Sequence, residues 1–208
     1  MPQLLLSTTY FGPVQWYQKL HRHGDCLIEA NETFQKQTYR NRCVIATTAG
    51  RQVLSIPVEH GASATATLIK DLRISDHGNW RHLHWKALES AYGDSPFFQY
   101  YADDLRPFFE KRWTFLFDFN LEITQCLCQL LDVQAELVPT TSFIHPSDAE
   151  KQGFLDFREA IRPKHAPADD AFQVRPYYQV YAAKNGFMAN LSVLDLLFNM
   201  GPEGIIYL

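Results

Sequence analysis

The chain has 208 residues, including 15 Phe, 10 Tyr and 4 Trp, and only 20% are Asp, Glu, Lys or Arg. Many aromatics with few charges exclude a disordered chain, and the length fits one domain whose core needs no disulfide or metal staple. With 23 acidic against 19 basic residues the net charge is −4, which excludes a nucleic-acid binder that relies on a basic surplus.

Residues 3–8 (QLLLST) read as a short buried strand. Their apolar run is too brief for a secretory signal, and no stretch reaches the roughly 18 apolar residues of a membrane span, so a cytoplasmic protein is expected. Pro13 presets a helix start, Val14, Trp16, Tyr17 and Leu20 supply its stripe, and Gly24 ends it before a second strand at Cys26–Ile28. Strand, helix, strand in this order predicts a β-α-β unit with parallel strands. Residues 42–58 predict a β-hairpin turning at Ala49-Gly50-Arg51, and 66–74 a third antiparallel strand.

From residue 79 the period becomes helical, with Trp80, Leu83, Leu88 and Ala91 near one face and a stop at Gly93-Asp94-Ser95-Pro96. Two more helices are expected over 97–111 and 114–131, then a loop and strand within 131–138. Residues 162–176 hold three prolines and two adjacent aspartates, and read as a flexible loop. A last strand is expected at 177–183, and Ser192 with Asp195 predicts a capping box on a closing helix. The fold class is therefore α/β (α+β): one domain over 1–208 with a small mixed sheet, a β-hairpin insertion and several packed helices.

Four segments carry candidate chemistry. Tyr10, Pro13, Trp16 and Tyr17 lie where the first strand meets its helix, a place that faces ligands in open α/β sheets; core packing of the rings is the competing explanation. Lys36, Arg40 and Arg42, around Asn41, form the densest basic segment. Guanidinium groups there suit phosphate or carboxylate, or simply guard a strand edge with charge. His82 and His84 flank the helix too far apart to chelate one metal; either suits a general base near neutral pH or a packed helix position beside Trp85. Asp156 and Arg158 precede the proline-rich loop as an ion pair or a lid anchor. Cys26, Cys43, Cys126 and Cys128 form no C-x-x-C pair and read as free thiols. No metal and no cofactor is implied.

TTYFGPVQWYQKL (8–20), ETFQKQTYRNRCVI (32–45), SIPVE (55–59), HWKALESAYGDSPFFQYY (84–101) and GFMANLSVLDLLFNMGPE (186–203) together resemble the WbqC-like protein family of bacteria, nearly end to end. Many members open with Gln-Pro-Tyr-aromatic-aromatic-Pro, whereas Thr8-Thr9-Tyr10-Phe11-Gly12-Pro13 stands here. The resemblance implies a role in surface-polysaccharide (O-antigen) assembly, as a transferase of an acyl or aminoacyl group such as glycyl onto a nucleotide-linked amino sugar. On that expectation Lys36, Arg40 and Arg42 hold the diphosphate, Tyr10, Trp16 and Tyr17 stack on base or sugar, and His82, His84 or Asp156 handles the proton. Two alternatives stay open: a non-catalytic carbohydrate- or protein-binding module, or a nucleotidylyltransferase-like nucleotide-binding protein, although that class's H-x-G-H histidines do not follow Pro13. A homodimer through an aromatic patch at Phe97 and Phe98 is a further expectation.

Overall fold

Leu4, Leu5 and Leu6 are all fully buried, as expected of a parallel strand covered on both faces. They form β1 (Leu4–Ser7) of the computed structural model, which describes residues 3–59 and 66–208. Pro13 in extended conformation launches α1 (Val14–His23), Gly24 at φ +73° ends it, and β2 (Cys26–Glu29) returns parallel to β1. The predicted β-α-β unit is present. The hairpin β3 (Arg42–Thr47) and β4 (Gly50–Ser55) follows as a separate two-stranded sheet.

A helical layer comes next: α2 (Trp80–Tyr92), α3 (Phe98–Leu105), α4 (Pro107–Glu110) and α5 (Leu116–Leu130). The expected 97–111 helix is thus divided at Arg106, just before Pro107. β5 (Leu137–Pro139) then adds beside β2, and after α6 (Pro146–Lys151) the two-residue β6 (Leu155–Asp156) adds beside β1. The parallel sheet has the order β5-β2-β1-β6. α7 (Ala182–Asn185) and α8 (Val193–Met200) close the chain. Residues 193–199 of α8 are all buried, so this helix is central rather than amphipathic.

Three local expectations are corrected. Residues 66–74 form no strand: Ile69–Asp71 is one 3₁₀ turn, flanked by the isolated bridges Thr33–Leu68, Val58–Ile74 and Arg73–Phe115. Residues 177–183 form no strand either. The Gln179 side chain replaces the ladder, donating to Met188 O (3.0 Å) and accepting from Met188 N (2.8 Å). Ser192 caps α8 at Leu194 N (3.3 Å), but Asp195 does not return the bond. Its carboxylate instead accepts from Tyr92 Oη (3.0 Å), Tyr177 Oη (2.8 Å) and Gln179 Nε2 (2.8 Å).

Residues 162–176 lack helix or strand, as their composition predicts, yet they are tied across α1. Asp169 accepts from Lys19 Nζ (2.7 Å) and Gln15 Nε2 (2.8 Å), while Gln18 bonds the backbone of Gln173. Phe98 is buried, and the Phe97 ring abuts the Gly201 backbone; the pair does not form an exposed aromatic patch. Among the described residues no helix is long and apolar enough to cross a membrane, and no group of three or more His, Cys, Asp or Glu could hold a metal ion.

Candidate functional site

Connections in the parallel sheet run from β1 outward through β2 to β5, and then jump to β6 on the other side of β1. That reversal is a topological switch point, and ligands of open α/β sheets bind in the crevice it leaves at the strands' carboxyl ends. Here those ends carry Ser7 (β1), Glu29 (β2), Thr140 just after β5, and Asp156 (β6).

Arg158 ties them together. Its Nε and Nη2 donate to the two oxygens of Asp156 (2.9 and 2.6 Å), and its Nη1 donates to Glu29 Oε2 (2.9 Å) and Ile144 O (2.8 Å). Glu29 is fully buried and also accepts from Thr140 Oγ1 (2.6 Å), Asn31 N (2.9 Å) and Ile144 N (3.0 Å). Burial alone would pull the Arg158 pKa down, but Asp156 and Glu29 outweigh it and raise it above the ordinary arginine value. A second pair lies alongside: Arg40 Nε and Nη2 fork onto Glu32 (2.8 and 2.5 Å), and Nη2 also reaches Ser7 Oγ (2.7 Å).

Beside these pairs opens a groove of about 510 Å³. Phe143 and Pro146 give it apolar walls, Asn31 and Gln35 supply amides, and Glu32, Glu159 and Arg158 bring charge. The Arg158 guanidinium lies over the Phe143 ring at 5.5 Å. Glu159 is half exposed, is held by Gln35 Nε2 (3.0 Å), and pairs with Arg162. A hydrophobic ring face beside fixed polar groups is the usual make-up of a small-molecule site. Among the described residues, no Ser, Cys or His lines this groove.

The sequence candidates distribute unevenly around it. Arg158 lines the groove, and Asp156 orients Arg158 from behind. Arg40 is 2% exposed with its donors directed at Glu32 and Ser7, so it is structural rather than a ligand cation. Lys36, Asn41 and Arg42 line a neighbouring groove. Tyr10, Pro13, Trp16 and Tyr17 are buried. Tyr10 Oη meets His84 Nδ1 (2.9 Å) and Trp16 Nε1 donates to Ser7 O (3.0 Å); their rings pack the core instead of stacking on a ligand. His84 is also buried, and desolvation lowers its pKa to about 4 against a weaker upward pull from the Ser55 backbone, so the ring is neutral near pH 7. His82 is exposed and shares a third groove with Trp85, Arg81 and Glu110, apart from the sheet edge. The catalytic candidates therefore do not converge.

Sequence reasoning missed Glu29, Glu32, Phe143 and Glu159. The available signal was an acidic residue ending each of two predicted or actual parallel strands, since a carboxylate there lies at the ligand-facing edge.

The known proteins place the chain as follows. It is 25% identical over 202 residues, covering 88% of this chain and 86% of the relative, to "Uncharacterized protein Rv1507c" of Mycobacterium tuberculosis (strain ATCC 25618 / H37Rv). No solved structure matches it. The WbqC-like family pattern matches residues 8–166, which include every residue lining the 510 Å³ groove but not the closing segment from 186 to 203. Because that match spans well over half of its length, the chain belongs to the WbqC-like protein family.

Proposed function

We propose that the protein transfers an acyl or aminoacyl group, such as glycyl, onto the amine of a nucleotide-linked amino sugar in bacterial surface-polysaccharide assembly, and that the amino sugar occupies the switch-point groove. One observation carries this reading: the groove is lined both by Phe143, half exposed, and by the half-exposed carboxylate of Glu159. A pyranose presents an apolar C–H face to such a ring, and its ammonium finds an acceptor in the half-exposed Glu159 carboxylate. Asn31 and Gln35 would take hydroxyls. In the reaction the sugar ammonium first gives one proton to water, and the free amine attacks the carbonyl of an activated acyl donor; a C–N bond forms as the nitrogen's second proton and the donor's leaving group depart. With no described Ser, Cys or His lining the groove, the rate would derive from holding the two substrates together.

Thermal-shift measurements with UDP-, dTDP- and GDP-linked amino sugars, each against its N-acetylated counterpart, test this. Stabilisation by the free amine form is expected, of about 2.7 kcal/mol at 100 times the dissociation constant, and it should fall in Glu159→Gln. Equal response to amine and acetamide would refute it.

A second reading, a non-catalytic carbohydrate-binding module, is favoured by the absence of Ser, Cys and His among the described residues of the groove lining. Amino-sugar binding without an acylated product by mass spectrometry, across thioester and aminoacyl donors, would select it.

A further inference from the structure

The basic segment contains one cation pair that the core does not use. Among the described residues, every arginine except Arg42 makes a hydrogen bond or an ion pair. Arg42, half-buried at the start of β3, makes neither, and its Nε is shielded from water without a partner. Lys36 is exposed and likewise unpaired.

Next to Arg42, Asn41 is 9% exposed and locked in place: its Nδ2 donates to Ile56 O (2.9 Å) and its carbonyl accepts from Ile56 N (2.8 Å). That leaves Asn41 Oδ1 buried with nothing to accept. Asn41, Arg42, Lys36 and Gln37 line one groove of about 370 Å³, floored by Phe34 and Ile56, and no acidic residue lines it. Gln37 holds φ +62°, a left-handed backbone uncommon for a residue with a Cβ; such strain collects at ligand clamps. Arg81 offers a contrast. Its Nε and Nη2 also lack partners, but its guanidinium lies 4.8 Å over Trp80 and its Nη1 is paired with Asp76 at 2.6 Å, so its charge is already compensated.

We propose that this groove is a subsite for the phosphate or diphosphate of a small phosphate ester, held by Arg42 and Lys36, with Asn41 Oδ1 accepting from a hydroxyl or N–H adjoining the phosphate. A guanidinium fork and an ammonium point charge are complementary ways to hold phosphoryl oxygens. The acceptor adds selectivity, because a nucleoside or sugar ester carries a hydroxyl or N–H at a fixed distance from the phosphate, a second contact that an inorganic phosphate lacks. Residues 31–37 wall both grooves, with Asn31, Thr33 and Gln35 on the switch-point side and Phe34, Lys36 and Gln37 on this one. The subsite rests on the nucleotide-linked part of the reading above and is independent of acyl transfer.

Isothermal titration with inorganic pyrophosphate, UDP and free glucosamine, at one fixed ionic strength, tests it. UDP should bind more tightly than pyrophosphate. Arg42→Gln should weaken UDP roughly tenfold or more, the loss expected for a charged hydrogen-bond donor, and Lys36→Gln, on an exposed side chain, should weaken it severalfold. If Arg42→Gln does not fold, Lys36→Gln and the salt dependence of UDP binding carry the test. Absence of UDP and pyrophosphate binding at millimolar concentration, or affinities unchanged in both variants, overturns the subsite. Glucosamine separates the two readings: UDP bound through Arg42 without glucosamine binding supports the subsite and sinks the amino-sugar assignment. Glucosamine binding without either phosphate compound overturns the subsite alone.

Discussion

Replacing Arg158 with Met keeps much of the side chain's length and removes its charge. In the wild type that charge lies 2.9 Å from Glu29, a fully buried carboxylate, and forks onto Asp156. After substitution Glu29 keeps three neutral donors, from Thr140, Asn31 and Ile144, but loses its cation. Removing one partner of a buried pair costs roughly 3–5 kcal/mol, and the surviving donors argue for the lower end, about 3 kcal/mol. In a chain of this size each kcal/mol lowers Tm by about 2–4 °C, so Arg158→Met should melt roughly 6–12 °C earlier and shift the urea midpoint to match. Adding Glu29→Gln to it should restore part of the loss, because the uncompensated charge disappears; single Glu29→Gln should itself be destabilising. A loss below about 1 kcal/mol in Arg158→Met, with no recovery in the double variant, would mean that water reaches Glu29 and that the sheet edge is not held by this pair.

Four further outcomes follow from other sites. Burial pushes the Asp195 carboxyl up to about 6; the folded state then holds a proton that the unfolded state has lost between about pH 4 and 6, so this group stabilises as pH falls through 6 and penalises above it. Asp195→Asn should therefore gain on wild type as pH rises from 4.5 to 7.5, by about 2 kcal/mol in urea unfolding; a pH-independent difference would refute the shift. His84 acts in the opposite direction: with its pKa lowered to about 4 from 6.5, its contribution is lost as pH falls from 6.5 toward 4, and nitrogen-15 NMR should find the ring still neutral at pH 5.5. Gly201 lies at φ +56° and a Cβ there would come within 2.5 Å of the Phe97 ring, so Gly201→Ala should cost about 2–4 kcal/mol, read by thermal melting. Lys19→Met removes the buried partner of Asp169; proteolytic cleavage after Lys164 should accelerate while the rest of the chain resists, and unchanged cleavage would show that the loop is held by Gln15 and Gln18 instead.

Local signals carried the first half of the fold. A leucine run, a proline start and a glycine stop suffice for β1, α1 and β2, because each acts within a few residues. The 177–183 strand misled for a definable reason: its alternation is real, but Gln179 bonds Met188 through its side chain, and no propensity shows that a side chain will stand in for a strand. The site was less legible. Arg40 reads as a free cation until the chain folds back and brings Glu32 to it at 2.8 Å. Asp195 matches a capping box in spacing, yet Ser192 N donates to Val44 O (2.8 Å) and leaves the carboxylate to the two tyrosines. Lys36 and Arg42, by contrast, were recognisable as basic positions from composition alone, because they stand without acidic partners in space as well as in sequence.

The shortness of β6 has a kinetic consequence. Two residues offer too few ladder bonds to hold an edge strand, and the bond that anchors this edge, Arg158 to Glu29, spans 129 residues. Contacts of such separation form after local ones, since loop closure must be met before they contribute. The hairpin and α-helices can form while β5 and β6 are still undocked, and the switch-point groove, built from residues 31–35 together with 143–159, comes into being only when those distant segments dock. A ligand in that groove would then leave the folding rate nearly unchanged and slow unfolding, acting as a latch on the last piece of the sheet to close.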